Sequence, residues 1–348
     1  MTTKQYLVKW LKWEFWPYWF FYLPIYFYWI WLSIKAKSLT FFTLANPSMF
    51  LGGFVGYSKY ESIKQIPKHY QPKTIFFQQS PESAAVVLKA MEEAQIQFPI
   101  ILKPDKGERG FNVEKIDDES ALTHYFRNQP QEIILQEYIN LPTEFGIMYH
   151  KIPNQTKANI HSIVQKEFLV VKGNGKDDLK HLIENEPRCL LHQQTLLKKY
   201  QDALAEIIPN NEYKILVEIG NHSRGTTFLN ANHLINEQLV HIFEQIVKDI
   251  PEFYFGRFDI RAENYQQLLE GNFKIIEING VNSEPAHIYD PHYRLLNAYK
   301  DLLYHWHIIY LISQQNHQRG FPYPKFTILL QTLRKHFLYK KMNKINLV

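Results

Sequence analysis

The sequence predicts an α/β chain of the α+β kind. Short apolar runs that end in polar groups recur between residues 73 and 279, the pattern of strands packed on a core. Amphipathic stretches lie between them, at 81–95, 176–183 and 236–249. The 348 residues suffice for two or three packed units. Charged residues at 21% and apolar residues at 45% exclude a largely disordered chain. The formal charge of +5 suits an anionic substrate or a membrane surface and does not argue for nucleic acid. Cys189 is the only cysteine, so there is no intrachain disulfide and no cysteine metal cluster, and a cytoplasmic setting is allowed.

Residues 15–34, FWPYWFFYLPIYFYWIWLSI, carry no charge and are flanked by lysines on both sides. Their length would just span a bilayer, but Pro17 and Pro24 interrupt them and their Trp and Tyr content belongs at a membrane boundary. The preferred reading is an aromatic helical element lying in one leaflet. The competing reading packs it on the protein's own core or at a dimer contact. Residues 41–58 read as a strand, a turn at Asn46-Pro47 and a flexible Gly52-Gly53 step. A strand at 73–78 and a helix at 81–95 follow.

In FPIILKPDKGERGFNVEKI (98–116), an apolar strand delivers Lys103, a polar loop carries Gly107 and Gly110, and a second strand begins at Phe111. Glycines allow close backbone approach to phosphate oxygens and lysines neutralise them, although an ordinary hairpin turn is the plain alternative. The Gly-Lys-Ser/Thr ending of a Walker loop is missing. Residues 132–139 form a strand ending in a carboxylate, Glu137, with Glu144 seven positions on; they suit an adenine edge and ribose hydroxyls, or a plain edge strand. A strand at 161–171 runs into a hairpin-type turn at Gly173-Asn174-Gly175, then helices at 176–183 and 189–208. Residues 215–235 give two short strands around a polar loop with His222 and Arg224.

Residues 253–290 organise the rest. Two strands end in Arg257-Phe258-Asp259 and Glu277-Ile278-Asn279, so their polar ends should meet at one lip. Asp259, Glu277 and Asn279 offer only oxygen ligands, which suits Mg²⁺ held by carboxylates together with substrate phosphates. Arg257 shares a strand face with Asp259 and can meet an anion there. The chain beyond Pro291 reads as helical, with a basic, aromatic-laced tail. No clear Ser-His or Cys-His nucleophile is visible.

Taken in order, these segments resemble the ATP-grasp superfamily of carboxylate–amine ligases, of the D-alanine–D-alanine ligase and cyanophycin synthetase type. The resemblance covers roughly residues 59–290. It implies two small α+β subdomains clasping ATP, with residues 1–58 as an aromatic-rich segment, 59–292 as the ATP-grasp domain and 293–348 as a helical basic region. It implies that Lys59, Lys103, Gly107 and Gly110 meet the phosphates, that Glu137, Tyr138 and Ile139 form the adenine hinge, and that Glu144 takes the ribose. Asp259, Glu277 and Asn279 would hold Mg²⁺, two ions in this family, with Mn²⁺ as a substitute. Arg257 would stabilise the charge of the tetrahedral intermediate, and Lys103, on the phosphates, would be the other catalytic residue. Asn112 stands where the loop usually has glycine, and Asn174 where a Gly-Asp-Gly segment has Asp.

The activity so implied is formation of an acyl phosphate from a carboxylate and ATP, release of ADP, and attack by an amine. The expected partners are small-molecule or lipid-linked acid and amine substrates and a membrane surface, without nucleic acid. The expected location is the cytoplasm, peripheral on the inner face of the membrane. Arg224, Glu284 and His287 are the candidate substrate contacts. A kinase that phosphorylates a hydroxyl, or a non-catalytic nucleotide-binding membrane protein, are the alternatives.

Overall fold

The computed structural model describes residues 10–78, 83–107, 110, 112–126, 132–218, 220 and 225–345, with 339–345 described by backbone alone. The aromatic stretch forms two helices, α1 (Tyr18–Phe21) and α2 (Leu23–Ala36). Pro24 sits in the first turn of α2, where its missing N–H has no helical partner to lose. The reading that packs this stretch on the protein's own core finds a counterpart. Leu32 and Ala36 are buried in a cluster with Phe41, Phe42 and the carboxy-terminal helices. The opposite side of α2 leaves Phe27 68% and Ile34 70% exposed. Among the described residues no helix is long and apolar enough to cross a membrane.

The strand expected after residue 41 is absent. Phe41–Ala45 is a 3-10 turn with all five side chains buried, a pattern without the period of two that a half-buried strand needs. Asn46 then does what a strand would have done. Its side-chain Oδ1 accepts from Tyr254 N and Phe255 N, both at 2.9 Å, and its Nδ2 donates to Phe255 O at 2.7 Å. The Gly52-Gly53 step is a packed left-handed turn rather than a flexible one. Both residues have positive φ, and Gly280 lies so close that a Cβ on Gly53 would fall 2.7 Å from its Cα.

A short helix, α3 (Lys59–Ile63), leads into the first lobe. Its strands β1 (Thr74–Phe77), β2 (Ile100–Pro104), β3 (Glu114–Ile116) and β4 (Ile133–Glu137) form an antiparallel sheet in the order β1-β4-β2-β3. Helices α4 (Ala84–Glu93) and α5 (Glu119–Phe126) cover it through Val87, Met91 and Leu122 against Ile100, Leu102 and Leu135. β3 starts at Glu114 rather than Phe111; Phe111 lies outside the described residues.

The chain then lays down β5 (Thr143–His150) and β6 (Asn159–Glu167) and leaves for a satellite. This consists of β7 (Leu169–Lys172), α6 (Leu179–Asn185), α7 (Gln193–Lys199) and β8 (Tyr213–Val217). It returns with β9 (Thr227–Asn230), α8 (Glu237–Val247), β10 (Phe255–Ala262), α9 (Tyr265–Leu269) and β11 (Phe273–Asn279). The main sheet runs β11-β10-β5-β6-β9, antiparallel throughout. The expected strand over 161–171 is therefore two strands in two sheets. β7 pairs with β8, so 173–175 is not a hairpin turn. Asn174 Oδ1 instead accepts from Lys176 N and Asp177 N and leads into α6. The expected helix over 189–208 shrinks to α7 and one 3-10 turn.

One face of the main sheet is apolar. Phe145, Ile147, Phe258, Ile260 and Ile278 pack against Phe243 and Ile246 of α8. The opposite face carries the polar residues described below. Two long helices, α10 (Leu295–Gln318) and α11 (Phe326–Ile345), complete a layer with α2 around Ile308, Ile309, Ile312 and Leu329.

Candidate active site

Strand register assembles the centre of the site. In the β10–β11 pair Arg257 faces Asn279 and Asp259 faces Glu277. The strand does not end at Asp259 but runs on to Ala262. A register shift follows the Asp259–Glu277 pair, where Ile260 meets Ile275 and leaves Ile276 as the extra residue of a bulge. Its carbonyl accepts from Lys103 Nζ at 3.1 Å. The bulge thus supplies an acceptor for the other lobe's lysine, and Lys103 ties the lobes together. Lys103 also donates to Gln136 Oε1 at 3.0 Å. Burial lowers its ammonium to about 8.

Alternation extends the polar face to neighbouring strands. Arg257, Asp259 and Arg261 project from β10, Glu144 from β5 and Lys166 from β6, with Glu144 opposite both Arg261 and Lys166. Arg257 grips Asp259 with two bonds, Nε to Oδ1 at 2.8 Å and Nη2 to Oδ2 at 3.2 Å. Lys166 Nζ lies 2.7 Å from Glu144 Oε1 and 3.5 Å from Asp259 Oδ1. Arg261 reaches Glu144 Oε2 at 3.3 Å and donates to Ile139 O at 3.0 Å. Burial pushes the Asp259 carboxyl up, but Arg257 and Lys166 outweigh it and hold it below the usual range. Burial likewise pulls the Lys166 ammonium down, and Asp259 and Glu144 more than restore it.

From the other lobe, Lys59 opens α3 behind an N-cap serine. Ser58 Oγ accepts from Glu61 N at 3.0 Å and donates to Asp105 Oδ1 at 2.9 Å. Lys59 Nζ donates to Gly107 O and lies 3.6 Å from Glu277 Oε1. Gly110 has φ +69° and lines the same cavity, in a loop whose residues 108, 109 and 111 are outside the description. At the hinge, Glu137 Oε1 accepts from Lys73 N at 2.7 Å, and Tyr138 and Ile139 follow it along the wall.

Lys59, Lys103, Glu144, Lys166, Arg257, Asp259, Arg261, Glu277 and Asn279 all line one cavity of about 1100 Å³. The cavity does not stop at the charged centre. It continues to Trp13, Trp16, Phe21 and Tyr22 near the amino end, and to Leu333 and Phe337 of α11. Glu284 stands in it beyond the charged centre, and Tyr289 donates to its Oε1 at 3.0 Å. His287 does not face the cavity and is corrected as a substrate contact. It is buried, with Nδ1 2.7 Å from Ser162 Oγ and Nε2 3.0 Å from Asp301 Oδ2. A serine, a histidine and an aspartate thus do line up, contrary to the sequence reading. Ser162 is wholly buried and absent from the cavity wall, so the line clamps the loop after β11 to β6 and α10. Arg224 lies outside the described residues.

The donor set fits Mg²⁺ better than a softer ion. Among the described residues no three His, Cys, Asp or Glu side chains gather into a metal site. Two carboxylates and an amide oxygen, Asp259, Glu277 and Asn279, are a partial oxygen set of the kind that phosphate oxygens complete. Asn279 is positioned by donating to Asp259 Oδ2 at 3.3 Å and by accepting from Tyr57 OH at 3.0 Å.

Sequence reasoning missed Tyr57, Gln136, Lys166 and Arg261. Lys166 and Arg261 had a signal. Each is a cation at an in-phase position of its strand; Arg261 lies between apolar Ile260 and Ala262 and continues the two-residue spacing of Arg257 and Asp259. Tyr57 and Gln136 had none, because their roles depend on the other lobe.

The family model for the RimK-like ATP-grasp domain matches residues 58–246, beginning beside Lys59 and ending before Arg257. No curated protein sequence matches the chain. Among solved structures, the VanG D-Ala:D-Ser ligase from Enterococcus faecalis is 15% identical, with 74% of this chain and 61% of that one covered and a TM-score of 0.40. The D-alanine–D-alanine ligase from Bacillus anthracis gives 12%, 75%, 66% and 0.41 for the same quantities. A bifunctional glutathione synthetase from Pasteurella multocida gives 14%, 72%, 38% and 0.34. The chain spans less than two thirds of the length of these proteins.

Proposed function

The chain belongs to the RimK-like ATP-grasp domain family, and from that membership we propose that it is an ATP-dependent ligase that joins a carboxylate to an amine. The observation that carries the reading is the meeting of Lys59, Lys103, Arg257, Asp259, Glu277 and Asn279 around one cavity between two lobes. Asp259, Glu277 and Asn279 would hold Mg²⁺, which when bound neutralises phosphate charge. Lys59 and Lys103 bind the phosphates from the side of the first lobe. Gly107 and Gly110, which line the cavity, let the backbone approach them closely. The substrate carboxylate attacks the γ-phosphorus and ADP leaves. An amine then attacks the acyl phosphate, phosphate leaves, and Arg257 stabilises the oxyanion between the two events. Such a donor is worth about 3–4 kcal/mol.

The aromatic extension of the cavity supports an apolar or lipid-linked substrate. The exposed Trp19, Phe27, Trp31 and Ile34, followed by Lys35 and Lys37, support work at an anionic membrane surface. Three assays test these layers. A non-hydrolysable ATP analogue with Mg²⁺ at a hundredfold its Kd should stabilise the protein by about 2.7 kcal/mol, and Glu277→Gln should remove most of that shift. Hydroxylamine should trap an ATP-dependent hydroxamate from a suitable fatty or amino acid; its absence across acids, with phosphoester formed instead, would point to a kinase. Trp19→Ser, Phe27→Ser and Trp31→Ser combined should abolish flotation with phosphatidylserine vesicles, and unchanged flotation would sink the membrane reading. Deleting residues 1–40 would be a poor test, since Leu32 and Ala36 belong to the core.

A further inference from the structure

Glu284 is a carboxylate in an aromatic wall. Tyr22 OH donates to its Oε2 and Tyr289 OH to its Oε1, the latter at 3.0 Å. The two tyrosines come from chain segments 267 residues apart in number and meet only here. Around them, Trp13 stacks on Phe21 at 5.2 Å and approaches Tyr289 at 6.0 Å, and Phe21 lies 6.1 Å from Tyr289. Among the described residues Glu284 makes no ion pair. The nearby cation, Arg257, hydrogen-bonds its backbone carbonyl, at 3.5 Å, and feels the carboxylate through space without pairing with it, while its guanidinium is held by Asp259. The other acid of this part of the cavity, Glu14, is already paired with Arg188 at 3.1 Å.

We propose that Glu284 and the rings of Trp13, Phe21, Tyr22 and Tyr289 form the subsite that receives the amine, bound as an organic ammonium with an apolar or aromatic flank. This rests on the ligase reading and assigns one of its two substrates to a place. The two ends of the cavity carry opposite signs of recognition. Lys59 and Lys103 add cations to the balanced Arg257–Asp259 and Lys166–Glu144 pairs at one end, while an anion at the Glu284 end would meet a carboxylate that makes no ion pair among the described residues. A carboxylate fenced by aromatic faces favours an organic cation through both charge and cation–π attraction. The ammonium passes one proton to Glu284, and the neutral amine attacks the activated carbonyl. The amide bond forms as the C–O bond to phosphate breaks, and a second proton leaves with the phosphate. Two tyrosine hydroxyls hold the carboxylate in place for the substrate.

The test uses benzylammonium and benzyl alcohol, which share shape and differ in charge, titrated calorimetrically into the full chain. Wild-type protein should bind the cation at least tenfold more tightly than the alcohol. Glu284→Gln should bring the two within twofold. Glu284→Asp, which keeps the charge, should retain the preference and so separates loss of charge from loss of fold. Equal binding by the wild type, a preference that survives in Glu284→Gln, or its loss in both variants overturns the proposal. Titration of Mg²⁺ and the ATP analogue into the same wild-type sample reports separately on the ligase reading. Failure there would remove the nucleotide chemistry while leaving the cation preference readable.

Discussion

The two ends of the cavity are built on different principles. The charged end is a product of register: Glu144, Lys166, Arg257, Asp259, Arg261, Glu277 and Asn279 stand on four adjacent strands at positions fixed by backbone pairing. Its charges neutralise one another before any ligand arrives. The aromatic end comes from helices and turns far apart in sequence, residues 13–22, Phe54, Tyr289 and α11, and is held by ring packing. The first arrangement fixes geometry through backbone pairing, as the proposed phosphoryl transfer requires. The second can change shape with the identity of a few rings, without disturbing a strand. Under the proposed ligase reading, reaction type and substrate choice are therefore separable, and each can be perturbed without the other.

The strongest perturbation is at the charged end. Lys166→Met leaves Glu144 and Asp259 buried with fewer cations and should lower unfolding free energy by about 3–5 kcal/mol in urea titration. An effect under about 1 kcal/mol would mean the charges are not mutually required. Arg257→Ala should lower kcat by about two to three orders of magnitude while the melting shift with the ATP analogue persists. Loss of that shift would make Arg257 a nucleotide-binding group instead.

Acid should act between the sheet and the helical layer. Burial lowers His150 to about 4 and His305 to about 3, and it holds His161, bonded to His150 at 2.9 Å, well below its ordinary range. The unfolded chain takes up these protons near pH 6.5 and the folded one does not, so stability is intact above 6.5 and falls as pH drops towards 4. The loss should be on the order of 3 kcal/mol for His150 alone. A urea midpoint flat from pH 7 to 4.5 would contradict it. At the aromatic end, Phe54→Ala should shift selectivity between acids of different size by about 1–3 kcal/mol in kcat/KM and leave analogue binding alone. The mildest effect concerns Lys103. With an ammonium that titrates near 8 in the nucleotide-free protein, nucleotide affinity should fall above pH 8 by up to about tenfold per unit. Lys103→Arg should flatten that slope.

The sequence was most informative where local pattern and chemistry coincide. The Arg257–Asp259 and Glu277–Asn279 pairs are legible because two-residue spacing on a strand is also the spacing of one face. The bulge was not legible: Ile275, Ile276 and Ile278 are all apolar, and only the burial of Phe273, Ile275 and Ile278 shows the slip from a step of two to a step of three. β5 escaped notice because Thr143–His150 is buried almost throughout and alternates little in polarity. The 3-10 turn at Phe41–Ala45 was mistaken for a strand because five buried residues in a row suit either. His287 looked like a substrate contact because a histidine beside a glutamate in a loop carries no sign of what lies beneath it. Its partners, Ser162 and Asp301, are 125 positions before and 14 after.

The Asn46 clamp has a consequence for the order in which the chain acquires its shape. Asn46 finds its partners 208 and 209 positions later, at Tyr254 and Phe255, and the turn after it rests on Gly280. During synthesis at roughly 5–20 residues per second, the first fifty residues must wait on the order of tens of seconds for the strand they will grip. Throughout that interval Trp, Tyr and Phe side chains of the amino end have no core to enter. The segment that closes one end of the cavity leaves the ribosome well before the strand it grips and is among the last to settle, so a chaperone or a nearby bilayer has a long opportunity there.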